Sequence, residues 1–456
     1  VLGAVALAAG LLSGGTRADP RTPPALPGLP PPFLGTAVVG SGGRAEAVDA
    51  YGDVVGLWTP GPAGESRIYD PAARQTAGTV PADTGIVARM RVGRRSIPLW
   101  RAGSVMQRYL PGTNVLRTVA RYRGRTIAVV RSVGGPRAAR RDRRWLARAQ
   151  PLGRAAPGWA RAMYRRSLLV LRALTDARTG AVAAGAREGW AYVWPRDASA
   201  VAMALAAAGY RPEAQRIVRF LRRLDLGAAA RFGGTGEPVD GRAAEGDAAG
   251  WVAAAARAAG LPPTSSARAA PGWHDRADYQ EGEAGDFLGN AIADADADGP
   301  SPGPRTAAKI RASFASPTGL VREAGDPGSG LDSAAAWAVR PFPQPALFPL
   351  VRRTLLNLTR GSTRYGIVPS EGWAGGGDPW TAPTAWTAWS LAALGERHAA
   401  LRLMAELRRA ATPAGLLPER VGVHSGIPRS TTPLAWSHAF AILALRQLWP
   451  SEEAER

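Results

Sequence analysis

Two kinds of hydrophobic spacing divide this chain. Between residues 33 and 133 the apolar runs are short and punctuated by glycine: Thr36-Ala-Val-Val-Gly40, Asp53-Val-Val-Gly-Leu-Trp58, Ile86-Val-Ala-Arg-Met-Arg-Val92 and Ile127-Ala-Val-Val-Arg131. Runs of that length, bounded by turn formers, predict strands. Gly124 falls between residues 116–122 and 125–131, where a hairpin needs a residue that tolerates positive φ. The region reads as an all-β domain.

From about Trp159 onward the period changes to that of helices. Leu347, Val351, Leu355 and Leu358 fall on one helical face with Arg352 and Arg353 turned away, and Ala400, Leu403, Met404 and Leu407 repeat the pattern. About twelve helical segments follow from this spacing, near 163–176, 197–209, 212–224, 247–259, 266–271, 277–297, 305–315, 331–339, 346–360, 380–394, 396–411 and 433–449. Twelve helices with short connections pair into six antiparallel hairpins and close into an (α/α)6 toroid, with the loops at one end forming a funnel.

Two carboxylates stand where such a scaffold displays chemistry. Glu419 lies in the non-helical run Gly415-Leu-Leu-Pro-Glu419-Arg420, ahead of a helix for which Thr432 is the expected N-cap and Pro433 the first residue. Glu281 is expected to open the segment at 277–297. Paired acids in a tryptophan-rich helical array suit general acid and general base chemistry on a sugar, although position alone fits helix-dipole residues equally well.

Composition narrows the choices. A chain of 456 residues has room for two or more domains. Without cysteine there is no disulfide, thiolate nucleophile or Cys-based metal site, and the four histidines show no HxxxH spacing, so no metal is expected. Asp294-Ala-Asp296-Ala-Asp298-Gly299 imitates the first half of a calcium loop, but Arg305 stands where a bidentate Glu is required. The net charge of +21 comes almost wholly from arginine, Lys309 being the single lysine, and no nucleic-acid-binding motif accompanies it. Nucleic acid is therefore not an expected partner. The densest run, residues 137–148, reads as a solvated interdomain helix.

The apolar stretch at residues 1–12, followed by small residues and Thr16-Arg-Ala18-Asp19-Pro20, reads as the end of a secretory signal peptide with cleavage after Ala18. Residues 20–32 are proline-rich and predict an extended linker. No other stretch is long and apolar enough to be transmembrane.

Four blocks occur in a telling order: Trp190-Ala-Tyr-Val-Trp194-Pro-Arg196-Asp197, Asp278-Tyr-Gln-Glu281, Gly377-Asp378-Pro379-Trp380, and Leu417-Pro-Glu419 running on to Trp436-Ser-His438-Ala439. Together they resemble glycoside hydrolase family 15, which holds glucoamylases, glucodextranases and some trehalases. The resemblance covers the chain after the linker. It implies a mainly α fold: an (α/α)6 catalytic toroid at 161–450, preceded by a signal segment at 1–18, a linker at 19–32, a β-sandwich domain at 33–135 and a basic linker helix at 136–160. It also implies that Glu419 is the general base, that Glu281 is the general acid, and that Trp194, Arg196, Asp197, Asp278, Trp380 and Trp436 bind substrate. The chain departs from the family pattern at Gln280, where tryptophan commonly precedes the acid, and at Gly282 after it, so Glu371 and Glu245 stand as alternative acids. The expectation is a secreted or envelope-associated, monomeric, cofactor-independent and inverting exo-glycosidase that releases β-D-glucose from the non-reducing ends of α-glucans. A trehalase of the same family, or a catalytically silent protein binding glycans or polyanions, are the alternatives.

Overall fold

The computed structural model describes residues 35–58, 88–186, 189–262, 273–297 and 304–451. The expected signal segment, the linker and the helix at 266–271 lie outside them.

The N-terminal part is built from small antiparallel sheets. Strands β1 (Ala37–Gly40), β2 (Ala45–Val48) and β3 (Val54–Trp58) pair in sequence order. A hairpin joins β4 (Arg89–Val92) to β5 (Arg95–Pro98), and β6 (Ser104–Tyr109), β7 (Leu116–Tyr122) and β8 (Arg125–Arg131) form a third sheet. The β7–β8 turn places both Arg123 (φ 48°) and Gly124 (φ 74°) in the left-handed region that a two-residue hairpin requires. Every residue of β1 and β2 is buried, since the first sheet is covered by helix as well as by strand. Tyr109 ties the sheets together, its hydroxyl accepting from Val38 N–H (2.9 Å) and donating to the Val38 carbonyl (2.7 Å).

The basic run forms helix α1 (Ala138–Leu146), which brackets the two parts of the molecule. Asp142 on its inner side accepts from Asn114 N–H (2.8 Å), and the Asn114 amide in turn donates to the carbonyls of Gly40 (3.1 Å) and Leu169 (2.7 Å). Trp145 stacks on Tyr210 at 4.1 Å.

Beyond α1 the helices are α2 (Gly158–Leu174), α3 (Pro195–Ala207), α4 (Arg211–Leu221), α5 (Ala248–Ala258), α6 (Leu288–Ala297), α7 (Pro304–Phe314), α8 (Phe348–Arg360), α9 (Thr381–Ala393), α10 (Arg397–Ala410) and α11 (Ala435–Leu448). Helices α3, α5, α6, a short 3-10 segment (Ser333–Ala338), α9 and α11 touch in that order, and α11 returns to α3. This closed inner ring is wrapped by α2, α4, α7, α8 and α10, giving the (α/α)6 toroid. The sequence separates the two layers. Residues 195–205 of α3 and 381–391 of α9 are buried without exception and are mostly small or apolar, as a helix surrounded on all sides requires. Helix α4 instead buries Ile217, Val218, Phe220 and Leu221 and turns its arginines outward. Small residues also set the spacing: a Cβ at Gly250 of α5 would lie 2.1 Å from the Ala293 carbonyl oxygen of α6.

Three expected helices are shortened. The segment at 277–297 is helical from Leu288 alone, because Gly282 and Gly285 weaken the helix and the Asp278 and Asp286 side chains bind nearby backbone N–H groups instead. At 331–339 Asp332 caps a single 3-10 stretch through Ala334 N–H (2.8 Å), and Pro341, Pro343 and Pro345 prevent its extension. The helix expected at 433–449 starts at Ala435. A hairpin absent from the helical reading, β9 (Val321–Glu323) with β10 (Asp326–Leu331), precedes the 3-10 segment.

The ring closes on stacked indoles. Trp386 of α9 meets Trp337, Trp436, Tyr279 and Phe440 edge-on at 5.3 to 5.5 Å and donates Nε1 to the Ser333 carbonyl (3.0 Å). Trp386→Ala is expected to cost about 3–5 kcal/mol, seen as a fall in the thermal unfolding midpoint. A loss below about 1 kcal/mol would show that the ring does not depend on this junction.

Candidate active site

Glu419 is held by backbone contacts between the N-termini of α9 and α11. Its N–H donates to the Thr431 carbonyl (3.0 Å) and its carbonyl accepts from Thr381 N–H (3.0 Å). Two residues earlier, Leu417 N–H donates to Nε2 of the buried His438 (3.0 Å), whose Nδ1 lies 2.9 Å from Ser167 Oγ on α2. Because Nε2 accepts, the imidazole carries its proton on Nδ1. The carboxylate itself accepts from Trp190 Nε1 (3.3 Å) and from the Ser430 hydroxyl. Thr432 and Pro433 do not begin α11 as expected. The N–H groups at its start are taken by tertiary carbonyls instead, Leu434 N–H by Leu417 (3.0 Å) and Ala435 N–H by Ala184 (2.7 Å), while Thr432 Oγ1 bonds the Ser430 carbonyl (3.3 Å).

Glu281 sits on a tight turn rather than at a helix start. Its φ of 54° is positive, and its N–H closes the turn onto the Asp278 carbonyl (2.8 Å). Both Asp278 oxygens grip Arg322 of β9, at 2.9 and 3.0 Å, so this residue anchors the turn and is not part of the cavity wall. Next to it, Tyr279 is buried against Trp337 and Trp386 and donates its hydroxyl to Asp332 Oδ1 (2.6 Å). Gln280, standing where the family commonly has tryptophan, donates to Ser370 Oγ (3.1 Å).

Glu281 and Glu419 line the same cavity, of about 130 Å³, together with Trp194, Trp380 and Trp436. Arg196 and Asp197, at the start of α3, also reach its wall. Arg196 is almost wholly buried: its guanidinium contacts Glu245 and lies 3.6 Å from both Asp197 and Asp247, with Trp436 stacked 4.6 Å beneath. Burial opposes the charge, but the three carboxylates outweigh it and hold Arg196 protonated more firmly than usual. One cation cannot balance three buried acids. Burial, together with the neighbouring Glu419 and Asp247, raises Asp197 to about 7 against the opposing pull of Arg196, and burial raises Glu245 and Asp247 as well. Of the alternative acids, Glu245 lies behind Arg196 and Glu371 is exposed and accepts from Leu331 N–H (3.0 Å); neither lines the cavity.

The profile of the family described as Glycosyl hydrolases family 15 matches residues 158–226, which carry α2 to α4 and the Trp194 to Asp197 block. Among solved structures, a wild-type glycosidase superposes with a TM-score of 0.52 at 20% identity, covering 67% of this chain and 98% of the other. A bacterial glucoamylase complexed with acarbose gives 0.51 at 17% identity, with coverages of 68% and 58%. A glucoamylase from Saccharomycopsis fibuligera gives 0.51 at 13% identity, with coverages of 65% and 96%. Over the matched segment the chain resembles glycoside hydrolase family 15, and its fold is that of the glucoamylases. At these identities the structural likeness shows the fold alone, and the profile match over residues 158–226 supports a glycoside hydrolase. No curated protein matches the sequence.

The enzyme's cavity also contains a charged residue that sequence reasoning passed over. Arg242, in the loop ahead of α5, lines the wall, forms an ion pair with Glu281 and lies 6.0 Å from the Trp194 ring. Nothing marked it among so many arginines. Trp190, quoted within a sequence block but given no role, proves to be the donor to Glu419. Among the described residues no acidic or histidine cluster is built to hold a metal, and no helix is long and apolar enough to cross a membrane.

Burial holds His438 down to about 3, with Arg166 adding to the effect. The unfolded imidazole takes up a proton as the pH falls through its ordinary value near 6.5, and the folded one does not. The stability that neutral His438 contributes is therefore complete above pH 6.5 and is lost progressively toward pH 3. Denaturant unfolding between pH 6.5 and 4.5 is expected to lose about 1.4 kcal/mol per pH unit more in the wild type than in His438→Gln. Equal slopes would mean that His438 is protonated in the folded state.

Proposed function

We propose that the enzyme is an inverting, exo-acting α-glucosidase, with Glu281 as proton donor and Glu419 as base. The observation that carries this reading is the convergence of the two acids, from chain segments far apart in sequence, on one small tryptophan-walled cavity. A cavity of about 130 Å³ suits a terminal sugar better than an internal stretch of glucan. The buried indole N–H groups of Trp194, Trp380 and Trp436 find no acceptor among the described residues, and sugar hydroxyls would supply one while the ring faces cover the C–H surface. Asp197, in the first turn of α3, and Arg196 Nε, which also finds no acceptor among the described residues, supply further polar contacts.

In the reaction, Glu419 removes a proton from water as its oxygen attacks C1. Glu281 gives its proton to the glycosidic oxygen as the C1–O bond breaks. Trp190 and Ser430 keep the base directed at the water, and the Tyr279 anchor holds the Glu281 turn. A trehalase uses the same groups, so release of sugar from maltose, isomaltose and trehalose assayed in parallel decides between linkages.

Direct displacement by water gives β-glucose as the first product, visible by NMR before mutarotation. An initial α-anomer would remove the base role from Glu419. Glu419→Gln is expected to lower kcat by about 10² to 10⁴ on every substrate. Glu281→Gln should show a similar loss on a disaccharide and a far smaller one on α-glucosyl fluoride, whose leaving group needs little protonation. Equal losses on both substrates would assign the proton to another group.

A further inference from the structure

We propose that Arg242 makes this site selective for glucosides whose leaving group carries an anionic group, such as a carboxylate or a phosphate. The inference rests on the assignment of Glu281 as proton donor. A proton donor must stand beside the leaving oxygen, and Arg242 is in contact with Glu281, so its guanidinium lies on the leaving-group side of the cavity.

Charge is sorted across the cavity. At Arg196 one guanidinium faces three carboxylates. Around Arg242 the cations Arg231 and Arg196 stand against Glu281 in contact and Glu245 and Glu419 farther off. Arg231 and Arg242 lie 5.9 and 6.0 Å from the Trp194 ring, and among the described residues Glu281 is the one carboxylate paired with either of them. Arg231 donates to the carbonyls of Gly189 (3.4 Å) and Asp240 (3.3 Å), and its buried Nε has no acceptor among the described residues. Burial and the charge of Arg231 weaken the hold of Arg242 on its proton more than Glu245 and Glu419 restore it, a cost that a bound anion reduces.

The chemistry of the step gives that anion a purpose. A guanidinium in contact with a carboxylate favours its ionised form, whereas a proton donor has to arrive protonated. A neutral leaving group leaves the Arg242–Glu281 pair in place. An anionic one takes over Arg242 through charge-assisted hydrogen bonds and frees Glu281 to carry the proton. Neutral glucosides are then slow substrates, and anionic ones are the substrates for which the pair is arranged.

Matched open-chain substrates test this. Maltitol and maltobionate differ in that the leaving unit ends in an alcohol or a carboxylate, and isomaltitol and isomaltobionate repeat the comparison for the 1,6 linkage. For the cleaved linkage, kcat/KM of the wild type is expected to be about tenfold or more higher for the acid than for the alditol. In Arg242→Gln that ratio should fall to about one, and in Arg242→Lys, which keeps the charge, much of it should return. Arg231→Gln should reduce it in part. A wild-type ratio near one with both substrates hydrolysed would overturn the proposal and leave the hydrolase reading standing, as would a high ratio that survives Arg242→Gln. Failure to cleave any of these compounds, or maltose, isomaltose and trehalose, would overturn the glucosidase reading and this proposal with it.

Discussion

Closing a ring of inner helices is the constraint from which the site follows. Helices α3, α5, α6, α9 and α11 and the 3-10 segment close the ring, and the segment leading into each inner helix belongs to the cavity or directly supports it. Trp194 precedes α3, Arg242 and Asp247 precede α5, the Glu281 turn precedes α6, Asp332 precedes the 3-10 segment, Trp380 precedes α9, and Leu434 precedes α11. Helix N-termini gathered in this way present positive dipole ends to one small volume. That field favours carboxylates, and Asp197, Asp247 and Asp332 all sit at or just before a first turn. Such crowding is possible because the inner helices are rich in alanine and glycine, which let backbones approach.

Crowded acids need a counter-charge, and Arg196 provides it. A guanidinium buried among three carboxylates is costly to desolvate, and removing it would leave those acids without a partner. Trp436 beneath the guanidinium links that cluster to α11, whose His438 holds the Glu419 loop from below. Glu419 is thus connected to the Arg196 cluster through buried groups. Glu281 is not: it sits half-buried on a left-handed turn, tied to a half-exposed arginine. This asymmetry suits the roles proposed above, a base that stays fixed and an acid whose protonation responds to what enters.

Much of this was legible in the sequence. The change of period near residue 159 marked the two fold classes, and the order of the four blocks pointed to the family whose profile matches residues 158–226. Seven of the eight expected site residues line the cavity, because each lies in the segment leading into an inner helix or in that helix's first turn. Helix ends were less legible. Thr432 and Pro433 have the chemistry of a helix start, yet tertiary carbonyls serve the first N–H groups of α11 and the helix begins later.

What the chain determined by itself was therefore the alternation of elements and the candidate carboxylates, since these depend on period and residue type over short distances. Partnership was decided only by the tertiary structure. Asp278 turned out to anchor a turn through Arg322, Arg196 to be shared among three acids, and Arg242 to bind the candidate proton donor. All of these pairings but that of Arg196 with Asp197 join segments separated in the chain, and the energy of an ion pair depends on distance and burial, neither of which a linear order contains.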